Sequence, residues 1–421
     1  MRRWWSSLGA GLVTGAADDD PSGIATYSQA GAQFGYQLAW TMLFTYPLMV
    51  VIQDISARIG RVTGRGIAGN IRAHYPGWVL QPIVWLLFAA NILNLGADLG
   101  AMAEAVRLLV PALSGWVWII FFGLACTLLP ILLSHRIYVG VLKWLTLALF
   151  AYFGVLAVVH IDWARVARGV LIPHWSFDVQ FWLMVMAILG TTISPYLFFW
   201  QATQEVEDTK AHAQRQPLRS KPSQASSALA RIRLDTLIGM ALSNLVGLAI
   251  LIATAGTLGQ ARIEHVQTAA QAAEALRPLA GDAAFALFAL GIVGTGLLSV
   301  PVLAGSAAYA LGEACRWPVG FSRRPLQAKA FYTTIALAML LGSLVNFAAI
   351  NPMQALLWAA VLNGVVAVPV MVLIVKIAAS RRIMDRFVVP APWLVLAWVA
   401  TGVMAVATLG WLLSMVAMRT A

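Results

Sequence analysis

An all-α protein that crosses a membrane many times is expected of this chain, on three observations. Of its 421 residues, 60% are hydrophobic and only 11% are charged, against roughly 25% charged in a soluble domain. Mean hydropathy is +0.80. Apolar runs follow one another from end to end, each long enough for the roughly 20 residues that a bilayer span needs. Lipid admits only helices or closed barrels, because no water is there to satisfy free backbone groups. No segment shows the apolar–polar alternation of barrel strands.

Eleven such runs cover 8–33, 38–57, 79–109, 115–134, 137–160, 178–204, 234–257, 283–314, 327–347, 353–378 and 390–418. The basic start MRRWWSSLGAGLV leads into acidic residues rather than a small-residue cleavage site, so the first helix is expected to be retained. With the N-terminus in the cytoplasm, 22 of the 28 Lys and Arg fall on that side, leaving Arg107, Arg165, Arg168, Arg262, Arg277 and Arg419 outside. This bias sets the expected orientation, N-terminus cytoplasmic and C-terminus external. It also absorbs the net charge of +11 with the lipid bilayer, and no nucleic acid, as partner. A bacterial inner (plasma) membrane is the expected location. Cys126 and Cys315 give neither a disulfide framework nor metal-ligand spacing. The basic, Ser/Pro/Gln-rich segment 205–233 reads as a flexible cytoplasmic loop. Residues 263–280 read as an amphipathic helix on the outer surface, and Asp54 with Arg58 as an interfacial ion pair.

Two of the runs are interrupted. The first carries TGAADDDPSGIAT, which puts Asp18, Asp19, Asp20 and Pro21 in mid-span; the sixth carries AILGTTISPYLFFWQATQE, with Thr191, Thr192, Ser194 and Pro195. A charged aspartate at mid-bilayer costs about 2.5–3.5 kcal/mol on insertion scales, so three in succession require water, a cation or protonation. Spans one and six are equivalent if the chain consists of two inverted five-helix repeats, 1–160 and 178–379, plus an added helix eleven at 390–418. Interrupted helices at matching places in two such halves point to the binding site of a secondary transporter. The chain has no phosphate-binding Gly-Lys-Ser/Thr loop of an ATP-driven pump. It also has neither the His-Glu-x-x-His nor the Gly-x-Ser-x-Gly signature of a hydrolase, so no enzymatic activity is expected.

The run DPSGIATYSQAGAQFGY, followed by QDISARIGRVTGRG, resembles the first two helices of the Nramp divalent-metal transporters. The resemblance is specific over residues 8 to 70 and one of topology beyond. It implies a LeuT-like inverted 5+5 fold with broken helices 1 and 6. Position by position, it places Asp20 at the metal-binding aspartate and Pro21 at the proline beside it. Ala17 and Thr191 fall where the family offers backbone carbonyls, and Asp98 at an acidic residue of the third helix linked to proton movement. The departures lie at the site itself: Gly23 stands for the ligand asparagine, Ser194 for methionine, Tyr196 for histidine, Gln201 for a second histidine, and Ala101 for a glutamate.

Replacing a thioether with a hydroxyl removes the filter for soft metals, and carboxylate, carbonyl and water suit Mg²⁺, Ca²⁺ or Mn²⁺. The expected cargo is therefore a hard divalent cation, Mg²⁺ or Mn²⁺, taken as substrate with no further cofactor. Its expected ligands are Asp20 with help from Asp19, Ala17, Thr191 and Ser194. Asp18 either caps the half-helix or faces the cytoplasmic vestibule. Asp98 and Glu104, six residues apart and on different faces, are candidates for a proton path. The alternatives are a structural hydrogen bond for Asp98 and an outer-interface position for Glu104. Gln201 and Glu205 share a helical face and either line the inner vestibule or end the helix in solvent. Asn363 reaches the ion or bonds to a neighbouring helix. Proton coupling and a monomeric state are further expectations. Two other functions stay open: carriage of a non-metal small solute on the same fold, and a sensor that does not transport.

Overall fold

The computed structural model describes residues 10–132, 147–212, 214–261, 266–348 and 351–420. All the regular structure among them is helical. The first run is two helices, α1 (Ala10–Asp18) and α2 (Pro21–Phe34). Next come α3 (Trp40–Thr63), the short α4 (Ile67–His74), α5 (Gly77–Arg107) and α6 (Gly115–Leu132). Span five lies partly outside the described residues; its remainder is α7 (Ala151–Val158), and α8 (Trp163–Leu171) follows. The sixth run is also split, into α9 (Val179–Thr192) and α10 (Pro195–Ala211). Beyond it lie α11 (Ala225–Thr254), two short helices α12 (Ala269–Glu274) and α13 (Arg277–Ala280), and α14 (Ala284–Cys315). The chain ends with α15 (Lys329–Val345), α16 (Pro352–Ala379), α17 (Arg381–Met384) and α18 (Ala391–Thr420). Eight helical stretches among the described residues are long and apolar enough to cross a membrane, one of them running through the α9–α10 break.

Both breaks have local causes. Asp20 is extended (φ −70°, ψ 170°) and its side chain accepts from the Gly23 amide, so it caps α2. Pro21 follows at a position whose N–H has no helical partner to lose. At the second break, Ile193 and Ser194 leave helical geometry and Pro195 opens α10. The breaks meet in the middle of the bundle, where α1 and α10 touch. Around them α5 lies along α14, α15 and α16, and α1 along α11. At Gly15 a Cβ would collide with the Gly239 backbone, so a small residue on each helix lets α1 and α11 approach closely.

At the end of the bundle that carries Arg61, Arg72, Arg215 and Arg231, the described residues of the 205–233 segment are packed in place rather than forming a loose loop. Helix α10 runs on to Ala211 and α11 starts at Ala225. Between them the Leu218 and Arg219 amides donate to the Arg61 and Val62 carbonyls. Arg61 donates to the Gln216 carbonyl (2.6 Å) and to the Gln224 amide oxygen (2.9 Å). A polar composition suggested mobility; the buried Arg61 guanidinium needed acceptors, and the loop supplies them. At the opposite end, the expected surface helix is two packed pieces. Thr268 caps α12 in a capping box with Gln271, and Ala272, Ala273 and Leu276 are buried. The Asp54–Arg58 pair is present at 2.5 Å, and both Arg58 and Arg233 lie over the Trp393 ring.

Candidate functional site

The three aspartates are buried, at 0%, 6% and 1% exposure for Asp18, Asp19 and Asp20, but they do not point to one place. Asp20 faces the crossing of the two breaks. Its Oδ1 accepts from Ser22 Oγ (2.6 Å) and from the Gly23 amide (2.8 Å). Its Oδ2 lies 3.3 Å from Asn94 Nδ2 on α5 and 3.3 Å from the Tyr196 hydroxyl on α10. The same hydroxyl is 3.0 Å from the Ala17 carbonyl oxygen. Asp18 and Asp19 turn the other way. Ser243 Oγ on α11 lies 2.6 Å from Asp18 Oδ2 and 3.1 Å from Asp19 Oδ1. Two carboxylates thus fasten α1 to α11, and one faces the crossing.

Of the residues expected to share the site, Asp20 and Ala17 come together. Ser194 is turned away, donating to the Gly190 (2.7 Å) and Thr191 (2.9 Å) carbonyls of the preceding turn. In doing so it occupies the Thr191 carbonyl. The Thr191 hydroxyl is buried without a partner, and a Cβ on Gly23 would come within 3.2 Å of it. Asp98, one turn beyond Asn94 on α5, is bonded by Ser299 Oγ at 3.4 Å, and its Oδ1 is unpartnered. Glu104 lies apart, accepting from the Ala269 amide at 3.0 Å and so holding the start of α12. Gln201 accepts a hydrogen bond from Thr14, which ties α1 to α10. Glu205 pairs with Arg231 at 2.6 Å. Asn363 is fully buried, with both amide atoms unpartnered. Among the described residues no three of His, Cys, Asp and Glu gather into a metal centre. His135 and His265 lie outside them.

Sequence reasoning missed Asn94 and Ser243, and read Tyr196 only as a lost histidine. A signal for Asn94 was available: Asn91, Asn94 and Asp98 fall on one helical face of an otherwise apolar span. No such pattern marks Ser243, which meets the aspartates only through the packing of α1 on α11.

A cavity of about 590 Å³ lies away from this crossing, beside Gln33, Tyr36, Arg165, Arg168 and His174. A second, of about 260 Å³, is lined by five glutamines, Gln29, Gln33, Gln180, Gln267 and Gln354, and reaches inward to Ala25. Ala25 is five residues beyond Asp20 on the α2 side.

Two interrupted helices crossing at buried polar groups define the class, the inverted-repeat transporter fold. Solved structures agree with it. A manganese transporter of Eremococcus coleocola superposes with a TM-score of 0.71 at 18% identity, over 98% of this chain and 87% of that one. MhsT, solved with L-phenylalanine, superposes with a TM-score of 0.59 at 15% identity, over 97% and 98%. Among curated relatives, the divalent metal cation transporter MntH of Yersinia pestis is 29% identical over 309 residues, 70% of each chain. MntH of Verminephrobacter eiseniae is 27% identical over 373 residues, 83% of this chain and 80% of its own. The family model described as natural resistance-associated macrophage protein-like, Nramp, matches residues 11–414. The chain belongs to the Nramp family.

Proposed function

We propose that this protein is a secondary transporter of divalent metal cations that works by alternating access. The observation that carries this is the Asp20 carboxylate beside the Ala17 carbonyl, buried where the two helix breaks cross. The groups around that carboxylate are oxygen or amide donors: Ser22, Asn94 and Tyr196. Such a set has no soft ligand, which favours a hard ion, Mn²⁺ or Mg²⁺. MntH relatives named as divalent metal cation transporters support the same cargo.

In this function Asp20 supplies the charge, and the Ala17 carbonyl a neutral oxygen. The Tyr196 hydroxyl stands between them and gives way to the cation. The Thr191 carbonyl joins once Ser194 rotates off it. Asp98, on the same helix face as Asn94, is the nearest candidate for a coupled proton, and Glu104 serves the outer closure instead. Asp18 and Asp19 hold α1 against α11 while the inner side is shut. The protein sits in a plasma membrane with its basic end in the cytoplasm, and a monomer contains the whole site.

Uptake into proteoliposomes tests this. Vesicles loaded with Mn²⁺- or Mg²⁺-sensitive dyes respond with the wild-type protein, and the response is lost in Asp20→Ala. Failure of wild type with both dyes refutes the cargo. A pH dye inside the same vesicles reports whether protons accompany the ion.

A further inference from the structure

We propose that Asn94 is a direct ligand of the transported cation, supplying a neutral amide oxygen opposite Asp20. It deepens the transport function proposed above and rests on it.

Asn94 lies in the middle of α5 and is fully buried. Its Nδ2 donates to Asp20 Oδ2 at 3.3 Å, whereas its Oδ1 has no partner. A buried amide oxygen left without a hydrogen bond is unfavourable, and apolar packing alone gives α5 no reason to keep one beside a carboxylate. Rotation of the amide by half a turn exchanges its two ends. In the empty site that rotation would set two oxygens against each other. With a cation between them, both would face positive charge. The orientation of the Asn94 amide is thus coupled to occupancy of the site.

The spacing fits. Neighbouring ligands of an octahedral ion with bonds of roughly 2.0–2.1 Å lie about 2.8–3.0 Å apart, and the longer bonds of Ca²⁺ spread them to about 3.3–3.7 Å. At the crossing Asn94 Nδ2 lies 3.3 Å from Asp20 Oδ2, so exchanging the ends of the amide, with a shift of a few tenths of an ångström, sets the two oxygens at the spacing of neighbouring ligands.

Other polar residues nearby are committed or remote. Asn91 Nδ2 donates to the Leu303 carbonyl at 3.0 Å, Gln201 is tied to Thr14, and Ser194 to its own helix. Nothing links Asn363 to Asp20. Gly23 itself offers no side chain, and a Cβ there would lie 3.2 Å from Thr191 Oγ1, so Thr191 would have to give by a few tenths of an ångström. Among the described residues, Asn94 is the one side-chain amide in contact with Asp20.

Titration calorimetry on the full chain, with Mn²⁺, Mg²⁺ and Cd²⁺, tests the assignment. Wild type binds the two hard ions, and Asn94→Ala weakens both by at least the 10- to 100-fold typical of losing even a supporting group. That loss alone would also follow if Asn94 merely positioned Asp20, so Asn94→Cys decides. This side chain is smaller than the native one and places sulfur where the amide stood. A ligand position then shifts selectivity towards Cd²⁺ by more than tenfold relative to Mn²⁺, with a sulfur-to-cadmium ultraviolet band that wild type lacks. Uniform weakening of all three ions with no new band, or an Asn94→Ala affinity within twofold of wild type, overturns the assignment while leaving the transport function standing. A folded wild-type protein that binds none of the three ions overturns both. Thermal unfolding of each variant without metal separates loss of a ligand from loss of the fold.

Discussion

Replacing Tyr196 with phenylalanine tests whether its hydroxyl holds the place of the ion. The ring stays where it is for reasons unrelated to the hydroxyl: residue 196 is fully buried, and its backbone carbonyl accepts from Ser306 Oγ at 2.8 Å. One hydroxyl proton serves two acceptors, the Ala17 carbonyl at 3.0 Å and Asp20 Oδ2 at 3.3 Å, so the substitution removes about one hydrogen bond. A neutral bond is worth about 0.5–1.5 kcal/mol and one to a charged group about 1.5–3 kcal/mol. The lengths here favour the lower half of that span, and about 1–2 kcal/mol is a fair expectation. This energy belongs to the empty site. A cation that takes the hydroxyl's place has no such bond to lose. The variant without metal should therefore unfold at a lower temperature than wild type. Its Mn²⁺ affinity should rise by about 5- to 30-fold, at 1.4 kcal/mol per factor of ten. Calorimetry in detergent and thermal unfolding with and without Mn²⁺ read both quantities. If Mn²⁺ binding weakens instead, the hydroxyl is part of the bound state and the displacement argument fails.

Two further outcomes follow from groups elsewhere in the bundle. Glu205→Gln keeps the shape of a side chain that is 1% exposed but leaves Arg231, whose side chain is 22% exposed, without its 2.6 Å partner. Breaking a fully buried pair costs about 3–5 kcal/mol; with Arg231 partly in water, a smaller fall in unfolding temperature is expected, and no fall at all would show the pair to be incidental. Cys315 is exposed at the basic end and Cys126 is buried, so a membrane-impermeant maleimide should label a single site, and only from the cytoplasmic face; labelling of intact cells from outside would invert the proposed orientation.

Much of the architecture was legible because its causes are local. Asp20, Pro21, Ser194 and Pro195 carry cap and breaker chemistry at their own positions, and the structure breaks its helices there. Apolar length marked the spans, while α10 and α11 run on beyond theirs, where Arg231 of α11 pairs with Glu205 of α10 and Arg61 finds acceptors in the segment between them. The site was less legible, because adjacency in the sequence is a poor guide in extended backbone. Asp19 was expected to help Asp20 at the ion and Asp18 to cap the half-helix or face the vestibule, yet both turn to Ser243 on α11. Ser243 claims these two from 225 and 224 residues away. Ser194 read as a ligand because it stands where the Nramp pattern has methionine, whereas its hydroxyl donates to the Gly190 and Thr191 carbonyls of its own turn. Asn94 sits on the unbroken helix α5, away from the cap and breaker residues that mark the two breaks.

The division of labour among the aspartates suggests how an ion could move the bundle. A ligand shifts a conformational equilibrium only by its differential affinity for the two states, so a transported cation must bind groups whose relative positions change. Half-helix α1 is held against α11 and α10 by Ser243 on Asp18 and Asp19, by the close approach of Gly15 to Gly239, and by Thr14 on Gln201. Its last carbonyls lie beside the crossing, where Tyr196 bridges Ala17 to Asp20. That bridge links the end of α1, the start of α2 and the start of α10 through a single hydroxyl. An ion taking its place would exchange one weak bond for several charged contacts, at the junction where α1 can swing relative to α10. Asp18 and Asp19 would then resist that swing and Asp20 would drive it, which accounts for three consecutive acidic residues with only one of them at the site.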